Sequence, residues 1–254
     1  MAKDNDDKTL LVTTETDNNL RMTWTGTNSG DWDLGTQNWE NRADNTDSTF
    51  LDGDLIYFTA AGANQNINIL HTQVSVAGMA ITGGARVVLD TNNGAIDTGS
   101  FGDGMAIANA GVLTFNRTNA AADAYEQKGM IAGAGQVIKE GNGRVVFSGG
   151  NAYTGPTKIN DGTLALTNVG AAGQNTNAHV VENDATLELS FTTSGDNAFN
   201  QKITGTGDVV KTGAFKATLT NSDSDYSGQT VVEAGTLALT HVNATGSNNA
   251  STSV

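Results

Sequence analysis

The sequence predicts an all-β solenoid, and three observations support this fold class. The chain of 254 residues contains 31 glycines and one proline, and only 16% of its residues are charged. Thr, Asn, Gly, Ala and Val dominate, and these residues favour strands and turns over helices. Short alternating apolar runs follow one another between turn residues, and a long internal repeat occupies the second half of the chain.

The short strands are predicted from residue 59 onward, each about four or five residues long and bounded by glycine or asparagine. A helical period is absent from every window there except at Ala120–Lys128, which is predicted to form one helical turn as an excursion from the strands. The predicted strands are Gln73–Val76, Ala85–Leu89, Val112–Phe115, Gln136–Lys139, Arg144–Phe147, Thr163–Thr167, Thr186–Ser190, Asp208–Lys211, Ala217–Thr220 and Thr236–Thr240.

Residues 1–58 differ in composition from the later part of the chain. Residues 1–20 are polar and are predicted to be a flexible leader or a first edge strand, with Asp4, Asp6 and Asp7 as solvated charges rather than a cation site. No apolar run follows Met1, so the sequence predicts no signal peptide, and an exported protein would be a mature fragment with an added methionine. Residues 21–58 hold all three tryptophans, Trp24, Trp32 and Trp39, between turn glycines. They form either a local core, the favoured interpretation, or a platform on which sugars stack.

Two segments, Ile131–Asn168 and Ile203–His241, are copies of one another. The numbering offset between them is 72 at the start, and the pentapeptide Thr-Leu-Ala-Leu-Thr at 163–167 recurs letter for letter at 236–240, where the offset is 73. The matched pairs include Gly133 and Gly205, Gly135 and Gly207, Lys139 and Lys211, Gly141 and Gly213, Tyr153 and Tyr226, Gly155 and Gly228, Thr157 and Thr230, and Gly162 and Gly235.

A repeat of this length contains several strands, so it predicts several coils of a solenoid. An offset of 72 divides into about three coils of about 24 residues, with strands stacked about 4.8 Å apart. Leu164 and Leu166 alternate with small or polar residues and are predicted to face inward. Asp161-Gly162 is also a hairpin signal, which would favour a sandwich. The second copy has Ala234-Gly235 there, which favours a wider corner with positive φ at the glycine alone.

The repeat resembles the autotransporter-associated β-strand repeat, also called the passenger-associated transport repeat. The resemblance covers Gly133 to Gly141, then Asn151-Ala152-Tyr153-Thr154-Gly155-Pro156-Thr157, then Asp161-Gly162-Thr163-Leu164. The second copy departs from this pattern at Asp223–Asp225, where Ser and Asp replace the asparagine run. The tryptophan-rich start, 21–58, also resembles the segment that often precedes β-helical passengers.

This resemblance implies a right-handed parallel β-helix that spans residues 59–254, with repeat copies at 131–168 and 203–241. An open solenoid end would expose apolar side chains and unpaired strand groups, so residues 21–58 are predicted to be an N-terminal cap. The polar tail at 250–254 does not resemble a barrel strand, so the family's C-terminal membrane barrel is not expected within this stretch of sequence. The chain is therefore expected to be the N-terminal or central part of a larger passenger.

The composition narrows the classes of partner. A net charge of −14 repels phosphate backbones and anionic lipid, so nucleic acid and direct membrane insertion are not expected. The absence of cysteine excludes disulfides, zinc–thiolate sites and cysteine nucleophiles.

No catalytic, cofactor or metal-binding residue is predicted, and the binding residues are unknown. His71, His179 and His241 lack the spacing of metal ligands and are predicted to be surface or corner residues. Ser194 lies outside any nucleophile motif. The carboxylate pairs Asp52/Asp54 and Asp223/Asp225 are assigned to turns, although such pairs also serve glycosidases. Gly133-x-Gly135 opens a strand and cannot bind phosphate through a helix dipole.

The function predicted from the rod and the resemblance is contact, not catalysis. The favoured hypothesis is an adhesin or self-association protein of the bacterial surface or secreted fraction. Its partners would be a host-cell surface, extracellular matrix, glycans or passengers on sister cells. The alternatives are a β-helical enzyme that degrades polysaccharide, or a stalk that aids secretion and presents a tip elsewhere.

Overall fold

Short parallel strands dominate the computed structural model of the chain. The structure describes residues 21–63, 65–70, 74–76, 78–82, 85–90, 96–97, 107–118, 124–246 and 252–253. These residues contain 28 strands and one 3-10 helix, Val242–Thr245. Among them, no helix has the length and apolar character that a membrane span needs.

In chain order, the first fourteen strands are β1 (Arg21–Trp24), β2 (Asp31–Trp32), β3 (Trp39–Asn41), β4 (Thr46–Ser48), β5 (Leu55–Phe58), β6 (Asn66–Ile69), β7 (Val74–Ser75), β8 (Gly78–Ile81), β9 (Arg86–Asp90), β10 (Ile96–Asp97), β11 (Ile107–Asn109), β12 (Val112–Asn116), β13 (Tyr125–Gln127) and β14 (Ile131–Gly133). The others are β15 (Gln136–Glu140), β16 (Arg144–Phe147), β17 (Ala152–Tyr153), β18 (Thr157–Ile159), β19 (Thr163–Leu166), β20 (Val180–Asn183), β21 (Thr186–Leu189), β22 (Ala198–Phe199), β23 (Lys202–Thr204), β24 (Asp208–Lys211), β25 (Lys216–Leu219), β26 (Thr230–Val232), β27 (Thr236–Leu239) and β28 (Thr252–Ser253).

From β5 onward successive strands lie in different sheets, as a solenoid requires. The first sheet has the order β17-β14-β11-β8-β5-β1-β3-β4, and the second has the order β2-β6-β9-β12-β15-β18-β20-β23. The third sheet runs β13-β16-β19-β21-β24-β26-β28, and two smaller sheets are β22-β25-β27 and β10-β7. From β11 to β19 each coil visits the first, second and third sheets in turn, and among the described strands after β19 none lies in the first sheet. Every described pair outside β1-β3 and β3-β4 is parallel. The predicted all-β parallel solenoid is confirmed, while its right-handed sense stays a prediction.

Inward side chains line up from coil to coil because the strands pair in register. In the third sheet one column contains Val145, Leu164, Leu187 and Val209, all of them buried. The second sheet has an equivalent column through Val87, Leu113 and Val137. All of the predicted strands that lie within the described residues are strands, with ends that shift by one or two positions.

The predicted coil length needs a correction. Val137 pairs with Thr157, Thr157 with Val181, and Val181 with Ile203, so three coils that start at residue 137 end at residue 203. The repeat counterpart of Val137 is Val209, and the chain reaches it only after it has turned onto the next face. The repeat offset therefore corresponds to three coils and one further face, and not to three equal coils.

As a consequence, the two repeat copies do not lie above one another. β15 lies in the second sheet, but its counterpart β24 lies in the third. Likewise β19 lies in the third sheet, and its counterpart β27 lies in the small sheet with β22 and β25. The repeat therefore cannot present one continuous stripe of its own residues along one face.

The hairpin alternative is wrong, because β18 and β19 on either side of Asp161-Gly162 belong to different sheets. Gly162 has φ 66° and Gly235 has φ 75°, and Asp161 and Ala234 do not share the positive φ. Each glycine forms the wider corner that was predicted. A two-sheet antiparallel sandwich is excluded for the described residues.

The helical turn predicted at Ala120–Lys128 is also wrong over the part that the structure describes. Tyr125–Gln127 is strand β13, which pairs with β16 in the third sheet. Tyr125 and Gln127 face inward and are buried, while Glu126 is exposed. The partner strand, which belongs to the next coil, overrides the local helix propensity.

Antiparallel pairing occurs only at the start of the described chain. β1 pairs in parallel with β5 but antiparallel with β3, and β3 pairs antiparallel with β4 at the end of the first sheet. Residues 1–20, with their predicted leader or edge strand, lie outside the described residues.

Candidate functional site

The three tryptophans form one buried aromatic cluster and not a surface platform. Trp24, Trp32 and Trp39 are 0–2% exposed. Ring centroids of Trp24 and Trp39 lie 4.9 Å apart, and those of Trp32 and Trp39 lie 5.2 Å apart, both edge-on. Phe50 and Phe58 complete the cluster. Because the indole faces contact protein, the local-core interpretation is the one that the structure supports.

Lys139, the repeated lysine of the first copy, is buried and links two corners of the solenoid through hydrogen bonds, which we call the corner clasp. Lys139 faces inward between Phe115 and Ile159. Its Nζ donates to the carbonyl oxygens of Glu140 at 2.7 Å and Gly141 at 2.5 Å within its own coil, and of Asp161 at 3.1 Å in the next coil. The ammonium therefore joins two successive corners. Burial lowers the pKa of Lys139 to about 8, against the raising effect of Asp161 and Glu140.

The second copy repeats this clasp although it lies on a different face. Lys211 is fully buried, and its Nζ donates to the carbonyls of Thr212, of Gly213 at 2.9 Å, and of Ala234 at 3.2 Å. Burial lowers the pKa of Lys211 as well. The sequence showed this lysine as part of the motif, but nothing local indicated that a cation would point into the solenoid.

The repeated tyrosine and threonine form a buried hydroxyl pair. Tyr153 Oη lies 2.6 Å from Thr157 Oγ1, and Tyr226 Oη lies 2.6 Å from Thr230 Oγ1. Burial raises the pKa of Tyr153 beyond its usual range and that of Tyr226 to about 12, so both phenols stay protonated. The intervening Gly155 is required by close packing, since a Cβ there would lie 2.3 Å from the Gly135 carbonyl oxygen.

The second copy keeps one bond of the motif through a different residue. Asn151 Oδ1 accepts from the Ile131 amide at 2.7 Å. At the matching position, Ser224 Oγ accepts from the Ile203 amide at 3.2 Å. The departure from the family pattern at Asp223–Asp225 therefore changes the residue type but keeps this link between coils.

Two buried asparagines also link successive coils by side-chain hydrogen bonds, and the sequence analysis did not identify them. Asn109 Nδ2 donates to the Gln136 carbonyl, and Asn183 Nδ2 donates to the Asp208 carbonyl, both at 2.9 Å. Each asparagine lies one coil before a repeat copy. The signal was present in the sequence as Asn-Ala-Gly at 109–111 and Asn-Asp-Ala at 183–185, separated by nearly the repeat offset.

The two described histidines differ in exposure. His71 lies outside the described residues, and His241 is exposed as expected. His179 lies at the corner directly before β20, and it is buried there beside Tyr153, with Nε2 3.3 Å from Thr157 Oγ1. Burial lowers the pKa of His179, against the raising effect of the Ala172 carbonyl, so the neutral ring is favoured. Residues 167–179 fold back over the motif at this point, and sequence spacing could not reveal that contact.

The candidate catalytic side chains do not come together within the described residues. Ser194 is exposed in the loop before β22, and Asp52, Asp223 and Asp225 are exposed. Asp54 is buried and accepts from the Leu51 amide at 2.9 Å, as a turn residue does. In the part of the chain that the structure describes, no group of three acidic or histidine side chains is arranged to hold a metal ion.

The outward surface carries ion pairs that span coils. Arg144 Nε and Nη2 bind Glu188 at 2.8 and 2.9 Å, two coils away on the third face. Ala165 of the intervening coil lies directly opposite Glu188 and is fully buried although it faces outward. Burial raises the pKa of Glu188, but hydrogen bonds from Arg144 and Thr212 outweigh that effect and the pKa is lowered.

Comparisons with known proteins agree with this arrangement. A family profile described as the passenger-associated-transport-repeat matches residues 137–166 and 209–239. The adhesin BmaC autotransporter of Brucella suis biovar 1 (strain 1330) is 35% identical over 226 residues, which cover 82% of this chain and 6% of that protein. The uncharacterized lipoprotein YdeK of Escherichia coli (strain K12) is 33% identical over 105 residues, which cover 38% of this chain and 8% of that protein. No solved structure matches the chain at comparable significance.

A parallel β-solenoid built around two passenger-associated transport repeats defines the class of protein. The chain belongs to the passenger domains of autotransporters, as the resemblance of its repeat implied. Such a domain is secreted or displayed at the bacterial surface, attached to the outer membrane in the full-length protein. The chain spans less than a tenth of the length of either relative.

Proposed function

We propose that this passenger segment acts as an adhesin through the outward faces of a rigid rod, without catalysis. The observation that carries the proposal is its similarity over 82% of the chain to an autotransporter named as an adhesin. The partners that we propose are a host-cell surface, extracellular matrix, glycans or passengers on sister cells.

The repeated motif residues are buried, and this supports contact with a partner through the other residues, which face outward. The motif lysine, tyrosine and threonine are buried in both copies, at Lys139, Tyr153 and Thr157 and at their counterparts. A repeated residue that is buried builds the coil and cannot contact a partner. Specificity would therefore reside in the outward positions, which differ between the copies. An enzyme that degrades polysaccharide would instead need accessible ring faces beside paired carboxylates.

Binding of the folded chain tests this proposal. The labelled chain is incubated with host epithelial cells, with an extracellular-matrix preparation and with a glycan array, and its self-association is measured by sedimentation. We expect saturable binding in at least one of these assays. The enzyme alternative predicts release of reducing ends from polysaccharide.

Two charge-neutral variants then locate the binding face. Lys158 with Glu182 is an ion pair of 2.9 Å on the second sheet, and Lys216 with Asp196 is one of 2.7 Å on the small sheet. Replacing both members of one pair by serine removes an exposed ion pair from one face alone, and ion pairs this exposed contribute little to stability. If the chain keeps its β-structure and binds in none of the assays, the adhesin proposal is contradicted and the stalk is favoured. The stalk is also consistent with the internal position of the motif residues.

We further propose that residues 21–58 cap the solenoid. The antiparallel pair β3-β4 follows β1 at one end of the first sheet, and the aromatic cluster lies beneath it. Deleting residues 1–58 would expose the apolar inner side of the coil that follows and its unpaired edge, and we expect the remaining chain to form soluble aggregates. Size-exclusion chromatography with light scattering measures this outcome. A truncated monomer that unfolds cooperatively would refute the cap.

A further inference from the structure

A single outward column runs along the end of the second-sheet strands, through eight successive coils. Strand pairing places Asp31, Asn68, Asp90, Asn116 and Glu140 opposite one another in five successive coils. Asn160 and Asp184 directly follow β18 and β20, and Thr206 lies two residues beyond β23, so the same register extended past the strand ends continues the column through them. Carboxylates therefore alternate with neutral hydrogen-bonding residues over the whole column, which we call the edge ladder.

The neutral members of the edge ladder donate to the carboxylate of the preceding coil. Asn68 Nδ2 lies 3.2 Å from Asp31 Oδ1, and Asn160 Nδ2 lies 3.3 Å from Glu140 Oε1. At the end of the ladder, both the amide and the hydroxyl of Thr206 contact Asp184 Oδ1, at 3.1 and 3.3 Å. The register places Asn116 between Asp90 and Glu140 in the same way.

Parallel in-register stacking makes this alternation necessary for an acidic chain. Strands of successive coils lie about 4.8 Å apart, and like charges directly opposite one another destabilise a sheet. Carboxylates two coils apart are separated by about 10 Å, beyond the Debye length of about 8 Å at physiological ionic strength. With a net charge of −14, the solenoid needs such spacing wherever acidic positions stack.

The rest of the described chain follows the same rule. Across the parallel strand pairs that the structure describes, no carboxylate lies directly opposite another. Glu182 lies between Lys158 and Thr204, and Glu188 lies between Ala165 and Val210. The exception is antiparallel: Glu40 faces Asp47 in the hairpin β3-β4, where Asp47 is exposed at the sheet edge.

We propose that the edge ladder is a device that enforces the stacking order of the coils. In the native order every carboxylate has neutral neighbours on both sides. If the coil of Asn116 were skipped, Asp90 would lie directly opposite Glu140, and if the coil of Asp90 were skipped, Asn68 would lie opposite Asn116. The acidic composition then acts against slipped registers as well as providing solubility.

Replacing Asn116 by aspartate tests the proposal, because it puts Asp90, the new carboxylate and Glu140 in three consecutive coils. We expect the melting temperature in about 20 mM salt to fall by about 2–6 °C. The charge-matched control is Asn66→Asp, on the same sheet, where the column neighbour is Val88. This control adds the same charge without a carboxylate opposite, and we expect a shift of at most about 1 °C.

Two further measurements separate charge stacking from the mere loss of an amide. In about 1 M salt the Debye length falls to about 3 Å, so the difference between Asn116→Asp and Asn66→Asp should largely vanish. The triple variant Asp90→Asn, Asn116→Asp, Glu140→Gln again leaves every carboxylate of the column with neutral neighbours, and it should regain most of the melting temperature that Asn116→Asp loses. Equal shifts in both single variants, or a triple variant as unstable as Asn116→Asp, would overturn the proposal.

Discussion

Leu166→Ala is expected to lower the free energy of unfolding by about 2–5 kcal/mol, whereas Leu239→Ala should cost less than about 1 kcal/mol. The two leucines occupy the same position of an identical pentapeptide. Leu166 is 0% exposed because β21 of the next coil covers β19. Leu239 is 46% exposed because β27 pairs with β25 on one side alone among the described strands.

Guanidinium denaturation followed by circular dichroism measures both losses. Because strands pair only with those of the adjacent coils, hydrogen exchange at the amides of β19 and β21 should report the Leu166→Ala loss locally. Each leucine serves as the control for the other, because the flanking sequence, the change in β-strand propensity and the side-chain volume removed are the same at both positions. Equal losses at the two leucines would mean that β27 is covered as completely as β19.

Lys139→Met is expected to cost about 2–4 kcal/mol, because three carbonyl groups at two corners lose a charged donor together. Methionine keeps the apolar stem that packs between Phe115 and Ile159, so the loss reports the ammonium and not a cavity. Lys211→Met should have a similar effect, since its contacts repeat those of Lys139. Thermal melting and hydrogen exchange at the Asp161-Gly162 corner are the measurements.

The matched control is Lys158→Met, one coil on in the same sheet. Lys158 lies on the outer surface and forms an ion pair with Glu182, which is worth about 0–1 kcal/mol. If Lys139→Met were no more destabilising than Lys158→Met, the clasp would contribute nothing to the stability of the corners. Partial desolvation of the ammonium opposes the clasp, and this experiment measures the balance of the two effects.

The sequence alone determined the strands and their inward residues. Alternation with a period of two is local, so Val145 and Phe147 could be assigned to the core without knowing what they contact. The corner at Gly162 was also indicated locally, because Ala234 in the second copy disfavours a type I′ hairpin. The family could also be recognised from the sequence alone, because its motif occurs twice with a nearly fixed offset.

Only the tertiary structure decided the face on which each strand lies and what the motif residues do. The length of a coil depends on its corners and excursions, such as 167–179, and these vary from coil to coil. Pairing with the next coil made a strand of Tyr125–Gln127 against its local helix propensity, and contacts between coils decided that His179 is buried at its corner. The inward lysine was unpredictable because burial of an ammonium depends on carbonyl groups that two successive corners bring together.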